Sequence, residues 1–204
     1  MELTAEQWAS HCRELYPVPD FIGHGVALDI GANVGGFPLA YHDRFERIIC
    51  VEPCSETFKQ LVNNTAHLKN VHCLNLAVGR HNGLAVKLRR HRDHPSDSGC
   101  HSTTQHEEWG NDVIQSVPTI NFFSITSLAT TAISYMKVDC EGAEFSFLGD
   151  AAFTVSLKVK AIAIELHAQW PDKVACLKQR LERYYAIHHS QFIDPHENIL
   201  YVRR

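Results

Sequence analysis

The segment Ala27–Gly36 constrains the fold more than any other part of the chain. It begins inside a short apolar run, Val26–Ile30, which contains one acid and is typical of a buried parallel strand near its carboxyl end. Small residues follow, and Phe37–Tyr41 then predicts the first turn of a helix, where Pro38 is tolerated because its missing N–H would have no partner there. A strand, a glycine turn and a helix in this order predict the nucleotide-binding corner of a doubly wound α/β sheet.

The residues of this turn favour one cofactor class over another. A dinucleotide site uses the pattern G-x-G-x-x-G, which lets the backbone approach a pyrophosphate. Gly31 and Gly36 have the outer spacing, but Asn33 stands where the middle glycine is needed. Asp29 would place a carboxylate beside the ligand, where it repels a pyrophosphate and attracts the ammonium group of a methionine moiety. The turn therefore favours S-adenosylmethionine (SAM) over a nicotinamide dinucleotide, and a turn that only packs a helix on a strand is the alternative.

Length and charge limit the classes of protein to which the chain can belong. The 204 residues fit one α/β domain, residues 1–204, with a helix and lead-in over 1–20 and a polar loop over 91–112 that we expect to cover an acceptor site. The net charge of −4 makes nucleic acid an unexpected partner. No apolar run is long enough to cross a membrane, and no leader pattern precedes the domain, so a cytoplasmic protein is expected.

The seven cysteines indicate neither a disulfide framework nor a zinc site, because their number is odd and no pair has CxxC spacing.

Acids recur where the predicted parallel strands end. Glu52 ends the second strand about 20 residues after Gly31, the separation at which an acid accepts hydrogen bonds from a ribose. The third strand ends at Ala77 and Val78, which we expect to lie beside the adenine. The fourth and fifth strands end in Asp139-Cys140-Glu141 and Glu165-Leu166-His167. Because ligands bind at the carboxyl ends of such strands, these residues predict one site.

Five segments stand in the order found in the FkbM family of SAM-dependent methyltransferases: Asp29–Gly35, Val51–Pro53, Ala77–Gly79, Lys137–Glu144 and Ile164–His167. The chain resembles that family from Val26 to its C-terminus. The resemblance implies a class I methyltransferase fold with a Rossmann-like, mostly parallel sheet of seven strands, one of them antiparallel, and helices on both faces. It also implies SAM as the methyl donor, a hydroxyl oxygen as the usual acceptor, and sugars or other secondary metabolites as small-molecule substrates.

On these segments we expect the cofactor to contact Asp29, Gly31, Ala32, Asn33, Gly35, Glu52, Pro53, Ala77, Val78, Asp139 and Glu141.

Methyl transfer to a hydroxyl is helped by a general base with a pKa near neutrality, a task that suits histidine. His167 is the first candidate because it ends a strand on the ligand edge, two residues after Glu165, which would orient it. A histidine that only hydrogen-bonds a neighbouring loop is the alternative. His101 in the polar loop is the second candidate, with a solvent-exposed histidine as the alternative. Lys137 shares a strand face with Asp139, which predicts a buried pair or an acceptor contact.

Other functions are left open by these residues. Asp139, Glu141, Glu165 and His167 offer ligands for a divalent metal, although the expected site contains none. A nicotinamide-dependent oxidoreductase and a non-catalytic SAM-binding module are the competing functions. Neither the acceptor nor the oligomeric state follows from the sequence.

Overall fold

The computed structural model describes residues 3–22, 24–91, 101–103, 109–129, 131–148, 155, 158–167, 170–194 and 197–203. The helices are α1 (Ala5–Leu15), α2 (Gly36–Tyr41), α3 (Ser55–Thr65), α4 (Phe122–Ser127), α5, which begins at residue 144 and is described through 148, and α6 (Pro171–Glu182). The strands are β1 (Val26–Ile30), β2 (Arg47–Val51), β3 (Val71–Leu74), β4 (Ala77–Gly79), β5 (Ala85–His91), β6 (His101–Ser102), β7 (Trp109–Asn121), β8 (Ile133–Val138), β9 (Val159–His167), β10 (Ala186–Asp194) and β11 (Glu197–Arg203).

The larger sheet has seven strands in the order β10-β11-β9-β8-β1-β2-β3. Strand β11 runs antiparallel to both of its neighbours, and the pairs from β9 to β3 are parallel. One apolar cluster lies between the sheet and α4–α6, and a second lies between the sheet and α1–α3. The predicted fold class is therefore confirmed, including its single antiparallel strand and the helices on both faces.

Alternation along β1 decides which side chains face which layer. Val26, Leu28 and Ile30 belong to the apolar cluster under α4–α6, and Ala27 belongs to the cluster under α1–α3. Because successive strand side chains point to opposite faces, Asp29 points to the side of α1–α3. This direction determines its role in the site.

The helix predicted within residues 1–20 is present. Helix α1 spans Ala5–Leu15. Thr4 accepts a hydrogen bond from the Gln7 backbone N–H, and the Gln7 side chain accepts one from the Thr4 N–H. This capping box satisfies amides that the first turn leaves without helical partners.

A second sheet, in the order β4-β7-β5-β6, was not predicted. The sequence pattern from Val71 to Gly79 suggests one strand, but the structure divides it at Asn75. The Asn75 amide donates to the carbonyls of Glu52 and Pro53, and so replaces the strand ladder at that point. After this break, β4 pairs with β7 instead of β2.

The described cysteines are all free thiols. No helix within the described residues is long and apolar enough to cross a membrane.

Candidate functional site

An open cavity lies at the carboxyl ends of β1, β2 and β8. The second sheet contributes part of its wall through β4 and β6. Eight of the predicted cofactor residues line it: Gly31, Asn33, Glu52, Pro53, Ala77, Val78, Asp139 and Glu141. Asp29, Ala32 and Gly35 are not part of the lining.

The glycine turn brings β1, β2 and β8 together. The backbone amides of Gly31 and Ala32 both donate to the Val51 carbonyl, at 3.0 and 3.1 Å. Gly31 has a φ of +78°, and a Cβ atom on it would lie 1.6 Å from the Asp139 carbonyl oxygen. Only glycine fits this position, because both the dihedral angle and the close backbone approach exclude a side chain.

Glu52 follows β2 directly and presents its carboxylate to the cavity. One carboxylate oxygen accepts from the Asn33 N–H at 2.9 Å, and the other accepts from the Cys54 N–H at 2.8 Å. Burial raises the pKa of Glu52 to about 7, although these two hydrogen bonds act in the opposite direction. Each oxygen has a second lone pair, so the carboxylate can still accept hydrogen bonds from a ligand.

Asp29 lies beneath the turn and not in the cavity. Its carboxylate is fully buried, and Lys137 Nζ lies 3.3 Å from Asp29 Oδ1. The same ammonium group lies 3.3 Å from Asp139 Oδ2 and donates to the Gly31 carbonyl at 2.6 Å. We expected Asp29 to face the ligand; strand alternation points it instead towards the α1–α3 side of the sheet, where Lys137 neutralises it. The direct contact predicted for Asp29 is therefore absent from this geometry.

The charge state of this buried pair follows from the number of oxygens around the ammonium. Burial lowers the pKa of Lys137, but Asp29 and Asp139 outweigh this effect and raise it above its usual range. Burial also raises the pKa of Asp29, against the effect of Lys137. Three oxygens face the Lys137 ammonium, so the charged form of Lys137 is the direction that the geometry supports. The predicted pair of Lys137 and Asp139 is present, with Lys137 buried and Asp139 partly exposed.

His167 is held between two glutamates. Its Nδ1 lies 2.9 Å from Glu144 Oε1, and its Nε2 lies 3.1 Å from Glu141 Oε2. Burial alone lowers the pKa of the imidazole, but Glu144 and Glu141 raise it well above its usual range. A protonated imidazole has no lone pair with which to accept a proton. In this arrangement His167 is a buried cation that fixes two carboxylates, and it is not poised as a general base.

Glu165 does not orient His167, which corrects the predicted pairing. The Tyr16 hydroxyl donates to Glu165 Oε2 at 2.5 Å, and Glu144 takes the orienting role at His167. Burial raises the pKa of Glu165 well above its usual range. Side chains two apart on a strand share a face, but this rule does not choose between partners from other elements.

Sequence reasoning missed two members of the site, Tyr16 and Glu144. Glu144 closes the Lys137–Glu144 segment and begins α5, which was a usable signal for a carboxylate at this edge. No sequence signal marks Tyr16, which follows α1 and lies 149 residues from Glu165 in the chain.

Three ligand atoms of the kind that bind metals lie close together. One atom each from Asp139, Glu141 and His167 lies within 4.8 Å of the other two. A divalent cation takes carboxylate and neutral imidazole ligands, so this set, found among the described residues, could hold one only after His167 loses the proton that Glu141 and Glu144 stabilise. Glu165, the fourth residue considered from the sequence, is not a member of this group.

The described part of the polar loop reaches the cavity. His101, on β6, lines the cavity, and the Ser102 hydroxyl donates to the Glu141 carbonyl at 2.5 Å. Glu141 has a φ of +52°, which is uncommon for a residue other than glycine, and this contact supports it. Residues 92–100 and 104–108 of the predicted loop lie outside the described residues, so the expectation that the loop covers an acceptor remains a prediction.

Comparison with known proteins adds the family. Three solved structures share the fold. The first is a methyltransferase FkbM from Methylobacillus flagellatus KT, with 19% identity and a TM-score of 0.59, and the match covers 88% of this chain and 43% of that one. The second is a fibrillarin from Aeropyrum pernix with natively bound SAM, with 11% identity and a TM-score of 0.56 over 95% of this chain and 72% of that one. The third is an rRNA methylase from Streptococcus thermophilus, with 8% identity and a TM-score of 0.54 over 100% of this chain and 98% of that one. This chain thus spans less than half the length of the methyltransferase FkbM from Methylobacillus flagellatus KT.

No curated protein sequence matches this chain. The family model described as the methyltransferase FkbM domain, however, matches residues 29–198, which include the glycine turn and the acids at the ends of β2, β8 and β9. The chain therefore belongs to the FkbM methyltransferase family.

Proposed function

We propose that this chain uses SAM to methylate a hydroxyl oxygen of a small molecule, such as a sugar or a secondary metabolite. One observation carries the proposal: in a chain of the FkbM family, the glycine turn after β1 and the buried Glu52 after β2 line the same cavity. The fibrillarin from Aeropyrum pernix, which shares the fold, contains bound SAM, and this supports the cofactor assignment.

Different residues of the cavity lining contact different parts of SAM in this proposal. Glu52 accepts hydrogen bonds from the ribose hydroxyls, and Ala77 and Val78 provide the apolar surface for the adenine. Asp139 takes the role first expected of Asp29, because it lines the cavity as a carboxylate. Burial raises the pKa of Asp139, but Lys137 and His167 outweigh this effect and lower it. An ionised Asp139 attracts the methionine ammonium group.

Transfer from the sulfonium is an in-line displacement, so much of the rate comes from holding the acceptor in position. Glu141 lines the cavity beside Asp139, and its carboxylate receives the proton of the acceptor hydroxyl. His167 positions that carboxylate from the opposite side. His101 contacts the acceptor from β6. Lys137 holds the glycine turn in place through its hydrogen bond to the Gly31 carbonyl.

The Glu52→Gln variant tests the cofactor assignment. We expect the dissociation constant for SAM to rise about tenfold, because an amide nitrogen cannot accept the ribose hydrogen bond. For the unmodified protein we expect tighter binding at about pH 8 than at about pH 6, since lowering the pH protonates a carboxyl whose pKa lies near 7. The variant should lose this dependence. Calorimetry with SAM and with NADH measures both effects.

The matched control is Glu56→Gln, which changes an exposed acid at the start of α3. It should bind SAM as the unmodified protein does. Binding of NADH in preference to SAM would overturn the assignment and favour an oxidoreductase.

The His167→Gln variant separates an enzyme from a non-catalytic binding module. Labelled SAM is first screened against sugars, phenols and small acids, and we expect a hydroxyl compound to become labelled. In the variant, kcat should fall at least about tenfold, because His167 contacts and positions Glu141. The dissociation constant for SAM should change less than about threefold, because His167 acts on the cofactor only through its charge effect on Asp139, where Lys137 has the larger effect. His72→Gln, on the exposed part of β3, is the control. A screen that labels no acceptor, or an unchanged kcat in His167→Gln, would count against this mechanism.

A further inference from the structure

Two cysteines lie side by side on the last two strands of the larger sheet. Cys50 on β2 and Cys73 on β3 are register partners in a parallel pair. Neighbouring strands are about 4.8 Å apart, which is within the Cα separation that a disulfide spans. Both side chains pack against the apolar cluster on the α1–α3 side of the sheet. They therefore point in the same direction, as a cross-strand disulfide requires.

The two thiols differ in their access to solvent. Cys50 is fully buried, because β2 is covered by β1 and β3 on either side. Cys73 is only half-buried, because β3 is the edge strand of the sheet. It lines a surface groove together with Thr65 and His72. A small solute can thus reach Cys73 from solvent, and Cys50 only after Cys73.

The two thiols also differ in chemical character. The neighbouring thiol of Cys50 and, to a smaller extent, the Thr65 hydroxyl lower the pKa of Cys73 to about 7, although burial and Asp29 act in the opposite direction. Burial raises the pKa of Cys50 well above its usual range. Thr65 Oγ1 lies 3.6 Å from Cys73 Sγ, but its proton is donated to the Leu61 carbonyl at 2.8 Å. Cys50 is therefore the main cause of the lowered pKa of Cys73.

We propose that Cys73 is a modification site that reacts with hydroperoxides, and that Cys50 resolves the product as a disulfide between β2 and β3. A partly exposed thiolate with a second thiol beside it is the arrangement of a reversible oxidation site. This site is separate from the SAM cavity: neither sulfur belongs to its lining. The proposal does not depend on the proposed methyl transfer.

The reaction balances with hydrogen peroxide as the oxidant. The Cys73 thiolate attacks one peroxide oxygen, an S–O bond forms, and the O–O bond breaks to release hydroxide, which takes up the proton lost by the Cys73 thiol and becomes the first water. Cys73 becomes a sulfenic acid, oxidised by two electrons, and the peroxide is reduced. The Cys50 sulfur then attacks the Cys73 sulfur, its proton passes to the departing hydroxide, and water leaves. Two thiols and one peroxide thus give one disulfide and two waters, and a dithiol reductant reverses the change.

Peptide mapping after peroxide treatment tests the proposal. Trypsin releases Cys50 in the peptide 48–59, which also contains Cys54, and Cys73 in the peptide 70–80. We expect these two peptides to be linked, with a mass about 2 Da below their reduced sum because two hydrogens are lost. Fragmentation at the Glu52–Pro53 bond shows whether the link uses Cys50. In Cys50→Ala the link should disappear and a sulfenic acid at Cys73 should be trapped by dimedone.

Cys54→Ala is the matched control, since it removes the other thiol of the same peptide and should leave the link intact. A link through Cys54, or one that persists in Cys50→Ala, would overturn the proposal.

A measurement on the unmodified protein keeps the proposal testable if Cys50→Ala does not fold. The rate at which iodoacetamide alkylates Cys73 should rise with pH, reach half its maximum near pH 7 and level off by about pH 8, following the thiolate fraction. Cys176 on α6 is exposed, and its alkylation, measured in the same digest, is the control for solvent access. A Cys73 rate that still rises steeply beyond about pH 9, or peroxide oxidation of Cys176 with Cys73 unmodified, contradicts the proposal.

Discussion

Replacing Lys137 with methionine is expected to lower the free energy of unfolding by about 3–5 kcal/mol at neutral pH. Methionine fills a similar volume, but it leaves the fully buried Asp29 carboxylate without its cation and the Gly31 carbonyl without its side-chain donor. An uncompensated buried charge costs more than a surface charge, because the protein interior solvates it poorly. Urea unfolding followed by circular dichroism measures the change.

The pH dependence of the Lys137→Met variant identifies Asp29 as the cause. Burial already raises the folded-state pKa of Asp29, and loss of Lys137 removes the group that lowers it. The folded variant then retains a proton that the unfolded chain releases above about pH 4. Its stability should therefore fall as the pH rises from about 4 towards the folded-state pKa, by about 1.4 kcal/mol per pH unit. An acid whose pKa is lowered by folding would have the opposite effect, because stability would then rise with pH.

Two further variants complete the experiment. Adding Asp29→Asn to Lys137→Met removes the unpaired charge and should abolish this pH dependence. Lys87→Met, which changes an exposed lysine on β5, should shift stability by no more than about 0.5 kcal/mol. A Lys137→Met variant as stable as the Lys87→Met control would show that the buried pair is not required.

The elements that could be predicted are those specified by local patterns. The capping box at Thr4 and Gln7 specifies the start of α1, and apolar runs specify β1 and β9, with β9 ending at His167 as predicted. An acid after an apolar run also locates the edge at which ligands bind, which is why Glu52 and Asp139 were placed in the cavity lining. None of these inferences needs a contact between distant parts of the chain.

The direction of each acid could not be predicted in the same way. Asp29 and Glu52 both stand near the end of a buried strand, yet Asp29 lies within β1 and Glu52 lies one residue past β2. Asp29 is the register partner of Cys50, so Glu52 stands two residues further along, beyond the edge of the sheet and beside the cavity. An apolar pattern does not define a strand end to within two residues. Only the structure therefore shows that Asp29 is buried beside Lys137 and that Glu52 lines the cavity.

Partners that come from distant segments were also beyond local patterns. His167 pairs with Glu144 and not with Glu165, and Tyr16 reaches Glu165 from the end of α1. The second sheet arises from the pairing of β4 and β5 with β7, a strand that begins in the polar segment. Such contacts depend on packing between elements, which the pattern of a single segment does not encode.

Replacing Gly31 with alanine is expected to lower the free energy of unfolding by about 4 kcal/mol or more and to abolish SAM binding. The added Cβ would lie 1.6 Å from the Asp139 carbonyl oxygen, which belongs to backbone and cannot rotate away. Relief requires β1 and β8 to separate at the point where Asp139 enters the cavity. The variant therefore damages the sheet and the site together. Urea unfolding and calorimetry with SAM measure the two losses.

Gly83→Ala is the matched control, because Gly83 has nearly the same dihedral angle, a φ of +72°, but no atom within 4 Å of its added Cβ. This control isolates the cost of a left-handed conformation, about 1–2 kcal/mol, from the cost of the backbone clash. The difference between the two variants measures how closely the turn must approach β8. If Gly31→Ala loses no more stability than Gly83→Ala, then the turn tolerates a side chain, and close contact between Gly31 and Asp139 is not what shapes the cavity.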